Sequence, residues 1–252
     1  MIKLENTEVM GWEAAIRGMR NPMNSWHRGD TEFHGGVVRF DTCNQRWEDN
    51  GYMMSLGSND LDVMIRLRNS GADHRKFMRM ITVYVDITAP LYWWKEFDTY
   101  KVGTVANSCS TMHKIADKEF TLEDFSHEHL DDEYECVKSA AADPYVGDFK
   151  TSIGILLDTI EGLNWWRNQY LHQKEINAGA ERLKWCWWQM IQLLPSSYNQ
   201  RRTVMLNYEV LANMYKSRKN HKLDEWHVFC DWIKTLPYSE LITGEFDVPE
   251  EK

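Results

Sequence analysis

A cysteine and a histidine stand four residues apart in the middle of the chain, at Cys109 and His113. If this stretch is helical, both side chains lie on one helix face, where a nucleophile and its general base could meet. The surrounding sequence identifies no third group to orient the histidine. We therefore favour an ordinary polar stretch over a catalytic pair.

A second candidate is an acidic segment with two histidines, His127 and His129. Carboxylates and imidazoles can bind a metal ion, but this spacing matches no fixed zinc pattern. Runs of charge are usually solvated surface, so we predict no metal site. The five cysteines are scattered and form no C-x-x-C pair, which argues against a zinc ribbon or a disulfide framework.

The glycine patterns that bind nucleotide phosphates are absent from the sequence. Neither G-x-x-x-x-G-K-[ST] nor G-x-G-x-x-G occurs. A nucleotide, if one binds, is not held by a P-loop or a Rossmann turn.

The third candidate is a helical pattern that begins at Asn207 and ends at Arg218, with Asn213 inside it. Asn207 could be an N-cap, and Arg218 could be a charge that complements the helix dipole. His74 precedes a strand pattern, where a surface histidine is the simplest interpretation. Taken one by one, these residues are explained by structure alone.

Hydrophobic periodicity indicates which elements position these residues. Helices are predicted over 8–20, from Asn59 or Asp60 to Gly71, from Pro90 to Tyr100, and over 148–176, 178–194, 207–218 and 223–236. Strands are predicted over 36–40, 80–87 and 203–206. The pattern favours an α+β fold in which helices dominate. We expect one domain over 1–252, with an acidic connection at 124–147 and a frayed tail at 245–252.

Composition narrows the function further. The net charge of −9 argues against a nucleic-acid partner or an anionic membrane surface. The N-terminus has no signal-peptide pattern, and no stretch reaches the roughly 18 apolar residues of a membrane span. We expect a cytoplasmic protein without a membrane partner.

The order of these features resembles the flavin-dependent thymidylate synthases, and the resemblance implies a small, mainly antiparallel sheet packed by several long helices. The C-terminal signature of that family reads Asn-x-Arg-x-Leu-x-His/Asn-Phe-x-x-x-Arg, and this chain has NYEVLANMYKSR at 207–218. A second signature, Arg-His-Arg-x-x-Ser-x-Asn-Glu-x-Ser-x-Arg, falls on the stretch that contains Asn107 and Ser110. Residues 1–57 and the acidic connection resemble the family only weakly.

The chain departs from both signatures. The Arg-His-Arg triplet becomes Tyr100-Lys101-Val102, the glutamate becomes Ser108, and the first arginine of the C-terminal signature becomes Glu209. Arginine binds phosphate through a two-pronged fork that none of these replacements provides. The cations that we expect to compensate are Lys101, Lys95, Arg75 and Arg79.

The resemblance implies an FAD enzyme that transfers a one-carbon unit to C5 of a pyrimidine deoxynucleotide, converting dUMP to dTMP. Methylene-tetrahydrofolate and NADPH would be co-substrates, and the active form would be a homotetramer. The resemblance assigns Arg218 and Ser110 to catalysis. It assigns the following residues to FAD: His74, Tyr100, Lys101, Asn107, Asn207 and Asn213. It assigns the following residues to the substrate: Glu96, Ser108, Ser110 and Arg218.

Two alternatives stay open. The chain could act on another pyrimidine nucleotide or transfer a hydroxymethyl group, or it could be a catalytically silent or re-purposed homologue that binds nucleotide or flavin. The missing arginines favour the silent homologue, and the retained Asn207, Asn213 and Arg218 favour an enzyme.

Overall fold

The computed structural model describes residues 2–34, 39–41, 46–48, 53–138 and 149–246. Several predictions fall on other residues. The first part of the strand over 36–40, the cysteine Cys43, the acidic connection from 139 and the tail from 247 lie outside the described residues.

In the part of the chain that the structure describes, helices contain more residues than strands do. Over the described ranges they are α1 Trp12–Arg20, α2 Ser58–Asn69, α3 Leu91–Phe97, α4 Thr111–Lys114, α5 Ser152–Glu175, α6 Ala180–Leu193, α7 Tyr208–Arg218, α8 Asp224–Lys234 and α9 Glu240–Thr243.

The strands are short except for three of eight or nine residues. In chain order they are β1 Lys3–Met10, β2 Glu32–His34, β3 Arg39–Asp41, β4 Arg46–Glu48, β5 Met53–Ser55, β6 Thr82–Pro90, β7 Val105–Ser108, β8 Val137–Lys138, β9 Phe149–Lys150 and β10 Asn199–Asn207.

The main sheet has four strands in the order β1-β6-β10-β7. The amide of Leu91 donates to the carbonyl of Tyr198 at 3.0 Å, and the amide of Tyr208 donates to the carbonyl of Ile81 at 3.1 Å. The end of β6 therefore lies beside the start of β10, which makes this central pair antiparallel. Three two-stranded antiparallel pairs, β2-β5, β3-β4 and β8-β9, complete the pattern, and the predicted α+β fold is confirmed.

The chain divides into two compact units. The first unit comprises Met1–Glu5, Asp86–Thr99 and Ala106–Thr203, and the second comprises Asn6–Val85, Tyr100–Val105 and Val204–Lys252.

In the first unit, α5 and α6 form a helical hairpin with a buried cluster that includes Leu163 and Met190. Asn164 on α5 makes two hydrogen bonds to the backbone of Phe120, one through each amide atom, at 2.8 and 2.9 Å. This pairing fixes the segment before α5 against the helix. Tryptophans of this unit serve two purposes, because Trp93 and Trp94 are fully buried whereas Trp165 is 53% exposed.

In the second unit, aromatic edges pack α1, α7 and α8. Trp12 contacts Tyr208 edge-on, with ring centroids 5.3 Å apart. The hydroxyl of Tyr208 donates to the carbonyl of Pro237 at 2.5 Å, and burial raises the pKa of this phenol well above its usual range. Trp226 and Phe229 form another edge-on pair on α8.

Two sequence expectations are corrected here. The helix expected from residue 8 begins at Trp12, because Gly11 has a φ of 92° and residues 3–10 form β1. The helix expected to be capped by Asn59 or Asp60 begins at Ser58. Its first amides are instead capped from a distance by the carboxylate of Asp30, which accepts from the amides of Asn59 and Asp60. Asp60 is buried and bonds to other groups.

Among the described residues, no helix is long and apolar enough to cross a membrane.

Candidate functional site

Arg218, at the end of α7, is the centre of the candidate site in the second unit. Its Nε donates to the hydroxyl of Tyr100 at 3.0 Å. Its guanidinium lies 4.8 Å from the ring centroid of Trp226 and 5.6 Å from that of Tyr100. The hydrogen bond to Tyr100 and the two aromatic rings therefore help to fix the position of a permanent positive charge. Such a charge suits the stabilisation of negative charge on a carbonyl oxygen.

Asn207 connects the start of α7 to the turn that carries Tyr100. Its Oδ1 accepts from the amide of Val210 at 3.0 Å, which makes it the N-cap, and its Nδ2 donates to the carbonyl of Gly103 at 3.4 Å. Gly103 has a φ of 81°, and a Cβ on it would lie 2.5 Å from Nδ2 of Asn207. The cap interpretation is confirmed, and both amide atoms of Asn207 have structural partners.

The turn between Tyr100 and Thr104 is closed by a hydrogen bond from a side chain to the backbone. The hydroxyl of Thr104 donates to the carbonyl of Tyr100. Lys101 is exposed, and its ammonium has no partner among the described residues. This lysine is therefore available as a point charge next to the Tyr100–Arg218 pair.

Glu209 organises a charged cluster at the start of α7. Arg75 donates to it at 3.3 Å, and Arg79 donates through both Nε and Nη2. Burial acts to raise the pKa of Glu209, but the hydrogen bonds from Arg79 and Arg75 outweigh burial, so the pKa is lowered. Arg75 and Arg79, which we expected to hold a phosphate, are thus partly neutralised by a residue that stands where the family signature has arginine.

Asn213 and His74 lie close to this cluster in the fold. The Oδ1 of Asn213 accepts from Nη2 of Arg75 at 3.0 Å, and its side chain is exposed. His74 directly precedes the 3-10 turn Arg75–Arg79, and its imidazole is exposed. Asn213 is therefore linked through Arg75 to Glu209. His74 is near the cluster because it directly precedes Arg75 in the sequence.

The remaining predicted residues lie in the first unit. Asn107 and Ser108 are exposed on β7, an edge strand. Ser110 is the N-cap of α4, where its hydroxyl accepts from the amide of His113 at 3.3 Å. Glu96 is half-buried on α3, and its carbonyl accepts from the hydroxyl of Thr99 at 2.7 Å. The predicted residues are thus divided between the two units.

The Cys109–His113 pair does not share a helix. Cys109 precedes the N-cap of α4, so the spacing that would align the two side chains on one face does not apply. The backbone of Cys109 is instead bound to β10. Its amide donates to the carbonyl of Arg201 at 2.9 Å, and its carbonyl accepts from Gln200 at 3.1 Å.

The acidic histidine segment has local partners. Nδ1 of His127 lies 2.9 Å from the carbonyl of Phe125, and Asp131 accepts from the amides of Glu133 and Tyr134. Within the part of the chain that the structure describes, no three metal-ligating side chains converge.

Sequence reasoning missed Trp226 and two arginines of β10. Trp226 lies eight residues beyond Arg218, and nothing in its sequence environment links it to that guanidinium. In the first unit, Arg201 donates to Asp86 at 2.8 Å, and this hydrogen bond raises the pKa of the arginine. Arg202 lies 4.1 Å above the ring of Trp94 and donates to Asp98 at 2.7 Å. A longer strand prediction, reaching back to Asn199, would have brought both arginines into the sheet.

The fold belongs to the α+β class, and the candidate site of the second unit is centred on Arg218. No family model matches the chain, and no curated protein matches it. Solved structures, in contrast, match the chain over nearly its whole length.

Thymidylate synthase X from Helicobacter pylori, crystallised with FAD and dUMP, matches over 97% of this chain and 98% of its own, at 13% identity and a TM-score of 0.57. A second structure of that flavin-dependent enzyme, also with FAD and dUMP, gives 12% identity and a TM-score of 0.58. The UMP/dUMP methylase PolB from Streptomyces cacaoi matches over 97% of this chain and 94% of its own, at 11% identity and a TM-score of 0.50. The chain therefore has the fold of the flavin-dependent thymidylate synthases, which confirms the resemblance at the level of the fold.

Proposed function

We propose that this protein is a divergent flavin-dependent thymidylate synthase that transfers a one-carbon unit to C5 of dUMP or a closely related pyrimidine nucleotide. The observation that carries the proposal is the fixed guanidinium of Arg218, at the last position of the C-terminal signature, in a fold matched over nearly the full length of both chains. The structural neighbours bind or methylate pyrimidine nucleotides, according to their descriptions.

The charges of the second unit fit an anionic cofactor such as FAD. The hydrogen bond between Asn207 and Gly103 brings the turn of Lys101 close to the start of α7, where Glu209 binds Arg75 and Arg79. Glu209 offsets one of the two arginine charges, Asp73 also interacts with Arg79, and Lys101 adds a further cation. The cluster as a whole keeps a positive charge that suits a phosphate group.

The residues of this chain would have the following roles in binding and catalysis. Lys101 and Arg79 would bind the cofactor phosphates, and His74, Tyr100 and Asn213 would line its binding surface. Arg218 would donate hydrogen bonds to a pyrimidine carbonyl and stabilise the negative charge that develops when C5 is attacked. For the first unit, the resemblance alone assigns Asn107 to the cofactor and Glu96, Ser108 and Ser110 to the nucleotide. When bound, FAD supplies a hydride that completes the methyl group.

Other parts of the proposal rest on the resemblance alone. NADPH would reduce the flavin, methylene-tetrahydrofolate would supply the carbon, and the active form would be a homotetramer. Tryptophans exposed on α5 and α6, including Trp165 and Trp188, are consistent with further burial on assembly. Light scattering would test the tetramer, since it predicts four times the 29.9 kDa of one chain.

A silent homologue is the second candidate. Glu209 favours it, because a carboxylate occupies a signature position where the family has a cation. A titration with FAD separates a homologue that has lost the cofactor from the enzyme.

Turnover tests the proposed reaction. The protein is incubated with FAD, NADPH, methylene-tetrahydrofolate and dUMP, and the nucleotide product is identified by its mass. We expect a product that is heavier than dUMP by the mass of one CH₂ group. We expect Arg218→Ala to lower kcat by about 100-fold or more, as the loss of one charge-stabilising donor does elsewhere, with flavin content unchanged.

The matched control is Lys216→Ala, an exposed cation on the same helix, which we expect to turn over like the unmodified protein. If Arg218→Ala retains normal turnover, the role given to Arg218 is wrong. If the unmodified protein forms no product but binds FAD, the silent homologue is favoured.

A further inference from the structure

A pocket of about 460 Å³ lies in the second unit, beside the end of α1, the turn that follows it and one face of α2. Its lining includes Arg20 and Ser25 from the N-terminal side and Asn59 and Arg66 from α2. None of the residues assigned to the candidate nucleotide and flavin site lines it. The N-terminal 57 residues are also where the sequence resembles the family least.

Arg20 is a buried arginine whose guanidinium is only partly bonded. Its side chain is 4% exposed. Nε donates to Oδ1 of Asp60 at 2.6 Å, and Nη1 donates to the carbonyl of Ser25 at 3.4 Å. Nη2 has no hydrogen-bond partner among the described residues. A buried charged donor without an acceptor is rare in proteins and calls for a partner.

Ser25 presents a second unpaired group in the same pocket. The residue is buried, and its Oγ has no partner in the described part of the chain. Its backbone is held on both sides, because its amide donates to the carbonyl of Arg20 and its carbonyl accepts from the amide of Arg28. Two unpaired polar groups are therefore fixed at neighbouring positions by the same turn.

Asp60 cannot supply the missing acceptor. Its Oδ1 already binds Nε of Arg20, and its Oδ2 accepts from the amides of Asp30 and Thr31 and from the hydroxyl of Thr31, at 2.6 to 3.1 Å. Oδ2 is therefore saturated by three donors, and Oδ1, which binds Nε of Arg20, makes no hydrogen bond with Nη2.

The mouth of the pocket adds positive charge. Arg28 and Arg66 line it, are exposed, and form no ion pair within the described ranges. Nε of Arg66 donates to the carbonyl of Asp62 at 3.3 Å, which leaves both of its Nη atoms available to a ligand. Asp62 is the acidic residue in the lining, against Arg20, Arg28 and Arg66. With Arg20 balanced by Asp60, the lining keeps one net positive charge in a protein whose overall charge is −9.

We propose that this pocket binds the phosphate group of a small anion. Nη2 of Arg20 and Oγ of Ser25 would donate to the phosphate oxygens, and Arg28 and Arg66 would provide charge at the mouth. Both inner donors are closed to solvent, so binding requires a shift of side chains in the lining of the pocket. The shared chemistry is a phosphate, either free or carried by a small metabolite.

Calorimetry with the full chain tests the site, using inorganic phosphate as the first probe and ribose 5-phosphate as the second, at constant ionic strength. We expect both probes to bind. Similar dissociation constants indicate free phosphate as the ligand, and tighter binding of ribose 5-phosphate indicates a phosphorylated metabolite. Absence of binding by either probe overturns the proposal.

Variants locate the binding. Arg66→Gln should raise the dissociation constant for phosphate about 10-fold and Ser25→Ala about 5-fold, since each loses a donor to an anion. Arg17→Gln is the matched control, because Arg17 is an exposed arginine on α1 outside the pocket and should bind phosphate normally. These variants leave the Arg20–Asp60 pair intact.

Lys101→Ala separates this site from the proposed cofactor site, because Lys101 would bind the cofactor phosphates and does not line the pocket. We expect its binding of inorganic phosphate to be unchanged. Loss of binding in Lys101→Ala, or normal binding in both Arg66→Gln and Ser25→Ala, would place the phosphate elsewhere and overturn the inference.

Discussion

Glu209 is the residue whose environment differs most from what its sequence position suggested. The family resemblance made it a lost arginine, yet the structure places it between Arg75 and Arg79 as a buried carboxylate with a lowered pKa. The positive charge at this place comes from a turn about 130 residues earlier in the chain. No local sequence pattern contains such a pairing.

Replacement of Glu209 by glutamine should destabilise the protein. The change leaves Arg75 and Arg79 without their carboxylate, and we expect the free energy of unfolding at pH 7 to fall by about 2 kcal/mol, the value typical of hydrogen bonds to a charged group. Chemical denaturation measures this change. Glu13→Gln, at an exposed pair with Arg17, should change stability by less than about 0.5 kcal/mol.

The effect of Glu209→Gln should also depend on pH in one direction. A carboxylate with a lowered folded pKa stabilises the protein above its unfolded pKa of about 4.3, and this contribution is lost as the pH falls through the folded pKa. The difference in stability between the unmodified protein and Glu209→Gln should therefore shrink below about pH 4. A difference that stays constant down to the acid transition would contradict the ion-pair interpretation.

At the scale of elements, the sequence predicted the interiors of helices and strands better than their ends. The patterns over 207–218 and 223–236 correspond to α7 and α8, and Gly71 lies beyond α2 with a φ of 101°, as a C-terminal glycine should. β1 was missed, because most of its residues are polar and exposed. Its place in the sheet depends on pairing with β6, a contact that local periodicity does not contain.

The candidate site was only partly predictable, for the same reason. Asn207 and Arg218 were found because both lie on one helix with a recognisable spacing. The contacts of Arg218 with Tyr100 and Trp226 join three separate segments, and only the fold brings them together. The pairing of Arg20 with Asp60, across 40 residues, was equally hidden.

Two glycines allow the Tyr100–Thr104 turn to be tested against a neutral position. Gly103→Ala places a Cβ at a φ of 81° and 2.5 Å from Asn207, so we expect the free energy of unfolding to fall by about 2 kcal/mol. Gly162 lies inside α5, and a Cβ added to it would meet no neighbouring side chain or segment within 4 Å. Gly162→Ala should therefore stabilise the protein by about 0.5–1 kcal/mol.

Denaturation of both alanine variants by the same method gives the comparison. Equal effects of the two substitutions would show that the left-handed turn at Gly103 is not required, and would weaken the link between Asn207 and the Tyr100 turn.

At the scale of the whole molecule, both the fold and the distribution of positive charge are consistent with the binding of anionic ligands. Although the net charge of the protein is −9, positively charged side chains of the second unit cluster at two places, around Glu209 with Lys101 on a nearby turn and in the pocket around Arg20. The first should serve an anionic cofactor and nucleotide, and the second a phosphate. Fold similarity alone does not decide between an enzyme and a silent homologue, since function depends on the site.

Flavin binding tests the central proposal most directly. The purified protein is examined for absorbance between about 350 and 500 nm, the range of oxidised flavin, and is then titrated with FAD while the flavin fluorescence is recorded. We predict a flavin spectrum or saturable FAD binding, weakened about 10-fold in Lys101→Ala by the loss of one phosphate contact and unchanged in the exposed control Lys216→Ala. A colourless protein that fails to bind added FAD would contradict the proposal that this chain is a flavin-dependent enzyme.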